Sequence, residues 1–96
     1  MKNTFFVYIL TNAHNNVLYV GSTGNLKKRV YLHRNRLIPG FSKKYNVSKL
    51  AFLERCCNEQ SAFKRELQIK SGTRAKKIKL IESMDNPWQD IFDQLI

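Results

Sequence analysis

The chain has few of the features that mark a secreted or membrane protein. Its two cysteines, Cys56 and Cys57, are neighbours in sequence, and a bridge between adjacent residues would close almost no loop and stabilise little. They lack partners at the spacing of a zinc site, so we expect reduced thiols near the end of a strand. No apolar run approaches the ~20 residues that cross a membrane, and no signal-peptide pattern opens the chain. These absences favour a cytoplasmic protein without a membrane partner.

Negative charge is missing from the first half of the chain. Residues 1–53 contain nine lysines or arginines and no acidic residue, whereas all seven acidic residues follow from Glu54 onward; the net charge is +10. A half of one sign creates a positive field that attracts polyanions. Nucleic acid is the first candidate partner and an anionic membrane surface the second, while a merely soluble basic surface has the same composition.

Length and pattern predict one small α/β domain over residues 1–96. Apolar residues make up 43% of the chain, enough for a single core. Period-two and helical spacings, with turn and cap residues between them, divide the chain into elements. The predicted strands are 5–10, 17–21 and 50–53, and the predicted helices are 26–37, 58–70 and 74–84. The simplest architecture is a three-stranded antiparallel sheet flanked by helices, in the order β-β-α-β-α-α-α.

The C-terminus predicts one more helix, an amphipathic extension over residues 86–96. Asn86-Pro87 has the pattern of a cap followed by a first-turn proline. Apolar residues then follow at i, i+3, i+4 and i+7, the spacing of one helical face: Trp88, Ile91, Phe92 and Leu95.

Five polar residues could surround one phosphate. Tyr8 and Tyr19 lie on neighbouring strands of the predicted hairpin, Arg29 and His33 share one helical face, and Glu66 lies among cations that should keep it ionised. Hydrolysis of a phosphodiester needs an activated water, neutralised phosphoryl charge and a stabilised leaving oxygen. A divalent metal on a carboxylate can serve the last two needs. The set would suit a metal-dependent nuclease.

The ordered series of motifs resembles the GIY-YIG nuclease family, in its small, excision-repair-nuclease-like form. The resemblance runs from residue 6 to about residue 81. Val7-Tyr8-Ile9 stands at the first motif, with Val7 before the tyrosine rather than Gly-Ile, and Tyr19-Val20-Gly21 stands at the second. Further matching positions are Gly21-Ser22-Thr23, Arg29, His33, Tyr45, Glu66-x-x-x-Lys70 and Arg74-x-Lys76-Lys77. The second, DNA-binding domain of larger members has no counterpart here.

The resemblance implies a DNA endonuclease and a role for each residue. Tyr19 would activate water as base or base-assisting phenol, and Tyr8 would orient that water or share the proton. Arg29 would bind the scissile phosphate and His33 would relay a proton. Glu66 would be the sole protein ligand of one Mg²⁺ or Mn²⁺, an arrangement that suits an ion reluctant to lose its waters. DNA repair is one pathway consistent with such an activity.

Further cations and one aromatic residue are candidates for nucleic-acid binding. Lysine and arginine contact phosphates, and a loop tyrosine among lysines could stack on a base. The candidates are Lys27, Lys28, Lys43, Lys44, Tyr45, Lys70, Arg74, Lys76 and Lys77.

Each assignment has a structural alternative. Tyr8 and Tyr19 could be an ordinary cross-strand pair, His33 could cover the core edge of its helix, and Glu66 could only pair with Lys70. Arg29 could belong to a solvated charge run. At the level of function, the alternative is a nucleic-acid-binding module with a weak or idle site that acts with a partner. The C-terminal helix could be a docking surface for a protein partner.

Overall fold

The computed structural model describes residues 4–35 and 46–94 and has three helices around a three-stranded sheet. The strands are β1 (Phe5–Thr11), β2 (Leu18–Thr23) and β3 (Lys49–Cys56). The helices are α1 (Leu26–Arg34), α2 (Glu59–Ser71) and α3 (Arg74–Glu82), and a 3₁₀ helix, Ile91–Gln94, follows. The strand order is β2-β1-β3, and both pairs are antiparallel. The predicted fold class is confirmed.

The first strand lies in the middle of the sheet because both of its faces are apolar. Val7, Tyr8, Ile9 and Leu10 are each 1% exposed or less. An uninterrupted apolar run of this kind is stable only where both faces of the sheet are covered.

Helices cover both faces, and each face has its own core. On what we call the α2 face, Val7, Ile9, Val20 and Phe52 pack with side chains of α2 and α3. On what we call the α1 face, the sheet packs against α1 and the residues around Val47; its buried members are Tyr8, Leu10, Leu26, Val30, Val47 and Leu50. The result is three layers, with the sheet between two groups of helices.

Short polar side chains form the turns and caps that the sequence predicts. Asn25 begins α1 by accepting a hydrogen bond from the Lys28 amide at 3.2 Å, and Asn58 begins α2 by accepting one from Ser61 at 2.8 Å. In the β1–β2 turn, Asn15 has a φ of 59°, a backbone state that asparagine tolerates better than most residues.

Several element boundaries differ from the predictions. The third strand has eight residues, because its pairing with β1 continues through Glu54, Arg55 and Cys56. The sequence predicted an end at residue 53 because the polar residues Glu54 and Arg55 interrupt the apolar run. α1 is described to Arg34, and the predicted end at Pro39-Gly40 lies outside the described residues.

The predicted C-terminal α-helix is wrong over residues 86–90. Trp88 has a φ of 68°, which interrupts any right-handed helix, and only the 3₁₀ turn Ile91–Gln94 follows. Trp88 packs on the α2 face, whereas Ile91 and Phe92 pack on the α1 face. The apolar spacing therefore reflects burial in two different cores, with the chain passing from one face to the other between them.

Asp90 fixes the chain at this crossing. Its carboxylate accepts hydrogen bonds from the amides of Leu50 and Phe92, each at 3.1 Å, and it pairs with Arg34 of α1. The Arg34 guanidinium also lies 4.6 Å from the centre of the Phe92 ring. Trp88, Ile91 and Phe92 are partly buried against the two cores, and docking of a protein partner at this segment stays a prediction.

The structure bears on two expectations from composition, the reduced cysteines and the lack of a membrane-spanning segment. Cys56 and Cys57 are free thiols at the end of β3, as expected. Among the described residues, no helix has the length and apolar character needed to cross a membrane.

Candidate active site

The hairpin register brings the two predicted phenols to one face of the sheet. Tyr8 lies opposite Gly21, and Leu10 lies opposite Tyr19. Residues two apart on a strand share a face, so Tyr8 and Tyr19 are diagonal neighbours on the α1 face. The sequence alone left this register open.

Gly21 makes room for the phenol of Tyr8. A Cβ at this position would lie 2.5 Å from the Tyr8 hydroxyl oxygen and 2.6 Å from the ring carbon that bears it. Both distances are far below van der Waals contact, so any side chain here would displace the phenol. The group that approaches Gly21 so closely is the protein's own Tyr8.

His33, on α1, contacts both phenols. It is fully buried, and its Nε2 lies 3.4 Å from the Tyr8 hydroxyl. Its ring centre is 5.0 Å from that of Tyr19 and 6.1 Å from that of Tyr8. His33 therefore belongs to the core of its helix and also contacts Tyr8, and its catalytic role stays a prediction.

Burial keeps His33 neutral. Loss of solvation, helped by the nearby positive charge of Arg29, lowers the pKa of His33 to about 4. Its Nδ1 is buried and has no hydrogen-bond partner among the described residues. A buried N–H without an acceptor is the rarer kind of unpaired group. This favours the tautomer with the proton on Nε2, which donates to the Tyr8 oxygen and leaves the Tyr8 proton for another acceptor.

Tyr8 holds its proton firmly. Burial is the largest cause that raises the pKa of Tyr8 above its ordinary value; Tyr19 and Glu66 raise it further, and Arg29 opposes them. A nearby cation alone would make a phenol a better base, but for Tyr8 loss of solvation outweighs the effect of Arg29.

Glu66 reaches the site from the other face of the sheet. It lies on α2, and its carboxylate accepts hydrogen bonds from Ser22 of β2 and from Lys70 one turn further along α2. Ser22 follows Gly21 directly, so its side chain points to the opposite face from that of Gly21. The glutamate side chain is only 13% exposed. The predicted pairing with Lys70 is present, and Ser22 makes it a three-membered contact.

The donor set fits a divalent ion of the Mg²⁺ kind. Mg²⁺ is commonly held by one or two carboxylates, with waters and substrate phosphates filling the remaining positions. Glu66 offers one such carboxylate, and no cluster of three or more acidic, histidine or cysteine ligands occurs in the part of the chain that the structure describes. A zinc-like site built from protein ligands alone is therefore not found there, whereas a single-carboxylate site is available.

Arg29 is half-buried on α1 and is available to an anion. No carboxylate pairs with it within residues 4–35 and 46–94. It lines two adjoining depressions, one against α2 and one along the first turn of α1. An unpaired guanidinium in this position could bind a phosphate with two parallel hydrogen bonds.

The predicted nucleic-acid contacts are distributed unevenly. Lys27 and Lys28 are exposed at the start of α1. Lys76 lines a cleft between α2 and α3. Arg74 donates to the Asn16 carbonyl at 2.8 Å, and Lys77 donates to the Gly72 carbonyl at 2.7 Å.

Those last two bonds give Arg74 and Lys77 a structural contact. Lys70 pairs with Glu66. Lys43, Lys44 and Tyr45 lie outside the described residues. The roles of all nine candidates in binding remain predictions.

Sequence reasoning did not assign a site role to Ser22 or to the aromatic residues beside it. Phe63 is 56% exposed and lines a cleft with Ser22 and Arg29. Phe63 precedes Glu66 by three residues, so helical spacing alone places the two on neighbouring positions of α2. That spacing was the available signal.

Comparison with known proteins agrees with this fold. The GIY-YIG catalytic domain matches residues 4–79, so the chain belongs to the GIY-YIG family, a family of nucleases. The chain is 37% identical to UPF0213 protein CPE1444 of Clostridium perfringens over 81% of its own length and 83% of that protein. It is 35% identical to a UPF0213 protein of Pediococcus pentosaceus, over 83% of each chain.

A solved structure shares the fold. The solution NMR structure of UPF0213 protein BH0048 from Bacillus halodurans superimposes with a TM-score of 0.56 and 21% identity. The match covers 91% of this chain and 92% of that one. The names of these relatives state no reaction or substrate.

Proposed function

We propose that this protein is a metal-dependent endonuclease that hydrolyses phosphodiester bonds in DNA. The observation that carries the proposal is the grouping of polar residues around Tyr8. His33 contacts its hydroxyl directly, Tyr19 is its diagonal neighbour on the same face, and Ser22 holds Glu66 against the adjacent strand. Family membership supports the same reaction, and the absence of acidic residues from the first half of the chain supports a polyanionic substrate.

The two phenols take different roles in this proposal. Tyr8 keeps its proton, so it acts as a fixed donor that orients the attacking water or a phosphoryl oxygen. Tyr19, which is less buried than Tyr8, assists removal of the water's proton, as a general base must lie within hydrogen-bond reach of it. His33 is neutral near pH 7, so one ring nitrogen donates to Tyr8 while the other can accept a proton.

Charge on the phosphate is met from two sides. Arg29 binds the non-bridging oxygens of the scissile phosphate. Glu66 would hold one Mg²⁺ or Mn²⁺, with Ser22 fixing the direction of the carboxylate. The chemistry that such an ion supplies when bound is polarisation of a phosphoryl oxygen and neutralisation of the leaving oxygen. Lys70 balances the charge of the Glu66 carboxylate, and its exposed ammonium could move into solvent without disturbing the helix.

Cleavage of labelled branched, nicked and single-stranded DNA with Mg²⁺ or Mn²⁺ tests the proposal. Glu66→Gln keeps the size of the side chain and removes its charge, so we expect cleavage to fall by about a hundredfold or more. Glu82→Gln is the matched control, because Glu82 is an exposed carboxylate at the end of α3; it should cleave like the wild type. Cleavage that survives Glu66→Gln would contradict the metal assignment.

The contact between Glu66 and Lys70 favours a second candidate. An ammonium on the only carboxylate proposed to bind metal competes with a divalent ion. A protein in which that contact persists would bind nucleic acid through its basic half in a salt-dependent way, with an idle site and with a partner that supplies activity. The same assay separates the two, because this candidate binds all three DNA forms and cuts none.

A further inference from the structure

Two depressions meet at Arg29, and their chemistry differs. The first, which we call the aromatic cleft, has a volume of about 270 Å³ and lies between β2 and α2; Phe5, Phe63, Glu59, Ser22 and Arg29 line it. The second, which we call the basic groove, has a volume of about 440 Å³ and follows the first turn of α1. Thr23, Gly24 and Arg29 belong to both.

The basic groove suits a sugar–phosphate backbone. Lys28 and Arg29 line it, and no carboxylate does so. Asn25 and the α1 N-terminus lie in the same groove, with peptide dipoles that favour an anion. A strand whose phosphate rests on Arg29 can therefore continue along this groove.

The aromatic cleft is unsuited to a phosphate. Glu59 contributes a carboxylate to its wall, and that charge repels a phosphate. Phe5 and Phe63 contribute rings, and the Phe5 ring packs so closely over Gly24 that a Cβ there would lie 2.9 Å from it. Rings together with a hydrogen-bond acceptor are what an unpaired nucleobase needs, since a base stacks through its face and donates an N–H from its Watson–Crick edge.

The inner end of the aromatic cleft adjoins the proposed metal ligand. Ser22 lines the cleft and donates a hydrogen bond to Glu66. A nucleotide whose phosphate lies between Arg29 and Glu66 would therefore have its base within reach of Phe63. Phe63 is 56% exposed, so its ring is accessible to a base that enters the cleft.

We propose that the aromatic cleft holds the base of an unpaired nucleotide next to the scissile phosphate, with Phe63 as its stacking partner. The inference rests on the proposed function and narrows its substrate to DNA with a single-stranded segment at the cut, such as a flap, a frayed end or a single strand. A base in a continuous duplex cannot leave its stack without losing pairing energy. Phe63 is a positioning and specificity residue in this account.

Binding without metal tests the inference apart from catalysis. In EDTA, the probe is a fluorescently labelled thymidine oligonucleotide, compared with a blunt duplex of equal length. Phe63→Ala should weaken binding of the single strand about tenfold and binding of the duplex much less. Leu67→Ala is the matched control, because Leu67 is 49% exposed on the same helix but does not line the cleft; it should bind both probes like the wild type.

A second variant reports stacking directly. Phe63→Trp should retain single-strand binding, and its emission should be quenched by the oligonucleotide, whereas Leu67→Trp should not respond. Equal weakening by Phe63→Ala and Leu67→Ala, or no quenching at position 63, would overturn the inference. If the wild type cuts duplex DNA in a Glu66-dependent way with no role for Phe63, only this inference fails. If it neither binds nor cuts any DNA, the proposed function fails with it.

Discussion

The two faces of the sheet differ in how they expose the candidate site to water. On the α1 face, Tyr8 and His33 are 1% and 0% exposed, and burial controls the protonation of both. On the α2 face, Glu66 is 13% exposed and its partner Lys70 is 48% exposed. On the α1 face, burial keeps Tyr8 protonated and His33 neutral. On the α2 face, the more exposed Glu66–Lys70 pair supplies the carboxylate to which an ion could bind.

Strand β2 connects the two faces because its successive side chains point to opposite faces of the sheet. Gly21 accommodates Tyr8 on the α1 face, and Ser22, the next residue, contacts Glu66 on the α2 face. Successive residues of a strand point to opposite faces, so two neighbours on an edge strand are enough to bring groups from both layers to one place. Changes at these positions should break the arrangement in different ways.

Gly21→Val should have the largest effect. A branched side chain at a position where even a Cβ would meet the Tyr8 hydroxyl at 2.5 Å should cost about 1–3 kcal/mol in the free energy of unfolding. Displacement of the phenol by about 1 Å should lower cleavage by roughly a hundredfold. Urea unfolding and the cleavage assay measure the two effects.

Gly72→Ala is the control for this substitution. Gly72 ends α2 with a φ of −76°, and a Cβ there would meet its nearest neighbour at 3.4 Å. Alanine should therefore be neutral or slightly stabilising. A Gly21→Val protein with wild-type stability and activity would show that the Tyr8 ring does not depend on this contact.

Local chemistry explains why most of the fold was predictable. The apolar run of β1, the Asn25 and Asn58 caps and the polar β1–β2 turn each act within a few residues, and each was found where the sequence places it. The prediction of a C-terminal α-helix was wrong because apolar spacing indicates which residues are buried but not which core they belong to. Trp88 and Ile91 are buried on opposite faces of the sheet.

The site was less predictable than the fold because it depends on register and on contacts between layers. The sequence grouped Tyr8 with Tyr19, but only the pairing of Tyr8 with Gly21 places both on one face. It grouped Glu66 with Lys70 through helical spacing, whereas Ser22 is 44 residues away and is brought to Glu66 by packing of α2 on the sheet. The burial that raises the pKa of Tyr8 also depends on packing between layers.

His33→Gln tests burial on the α1 face through the pH dependence of the free energy of unfolding. The folded protein lowers the pKa of His33 from 6.5 to about 4, so between these values the unfolded chain binds a proton that the folded chain does not. Stability contributed by neutral His33 is complete above pH 6.5 and is lost as the pH falls toward 4, by up to about 3 kcal/mol.

Urea unfolding at pH 7 and pH 4.5 measures that loss. The decrease should be smaller in His33→Gln than in the wild type, because glutamine does not titrate. His14→Gln removes an exposed histidine of the β1–β2 turn and should keep the wild-type pH dependence. Parallel pH dependence in wild type and His33→Gln would refute the burial account of His33.

Ser22→Ala tests the proposed metal ligand, Glu66, on the α2 face. The hydroxyl orients the Glu66 carboxylate, and loss of a hydrogen bond that orients a metal ligand typically costs about 10- to 100-fold in metal affinity. We expect the Mg²⁺ concentration that gives half-maximal cleavage to rise by about tenfold while the maximal rate changes little. Ser83→Ala, which removes a hydrogen bond to the Leu80 carbonyl at the end of α3, should leave that concentration unchanged. An unchanged requirement in Ser22→Ala would argue against Glu66 as the metal ligand.

Single lysine substitutions should give the smallest effects and show whether DNA spans both sides of the molecule. Lys28 lines the basic groove at α1, and Lys76 lines the cleft between α2 and α3. If each contacts one phosphate, Lys28→Ala and Lys76→Ala should each reduce the slope of log affinity against log salt by about one. Lys49→Ala is the control, because Lys49 lies on β3, the opposite edge of the sheet from β2. A smaller slope for Lys28→Ala alone would mean that the DNA follows the basic groove and does not extend to the cleft between α2 and α3.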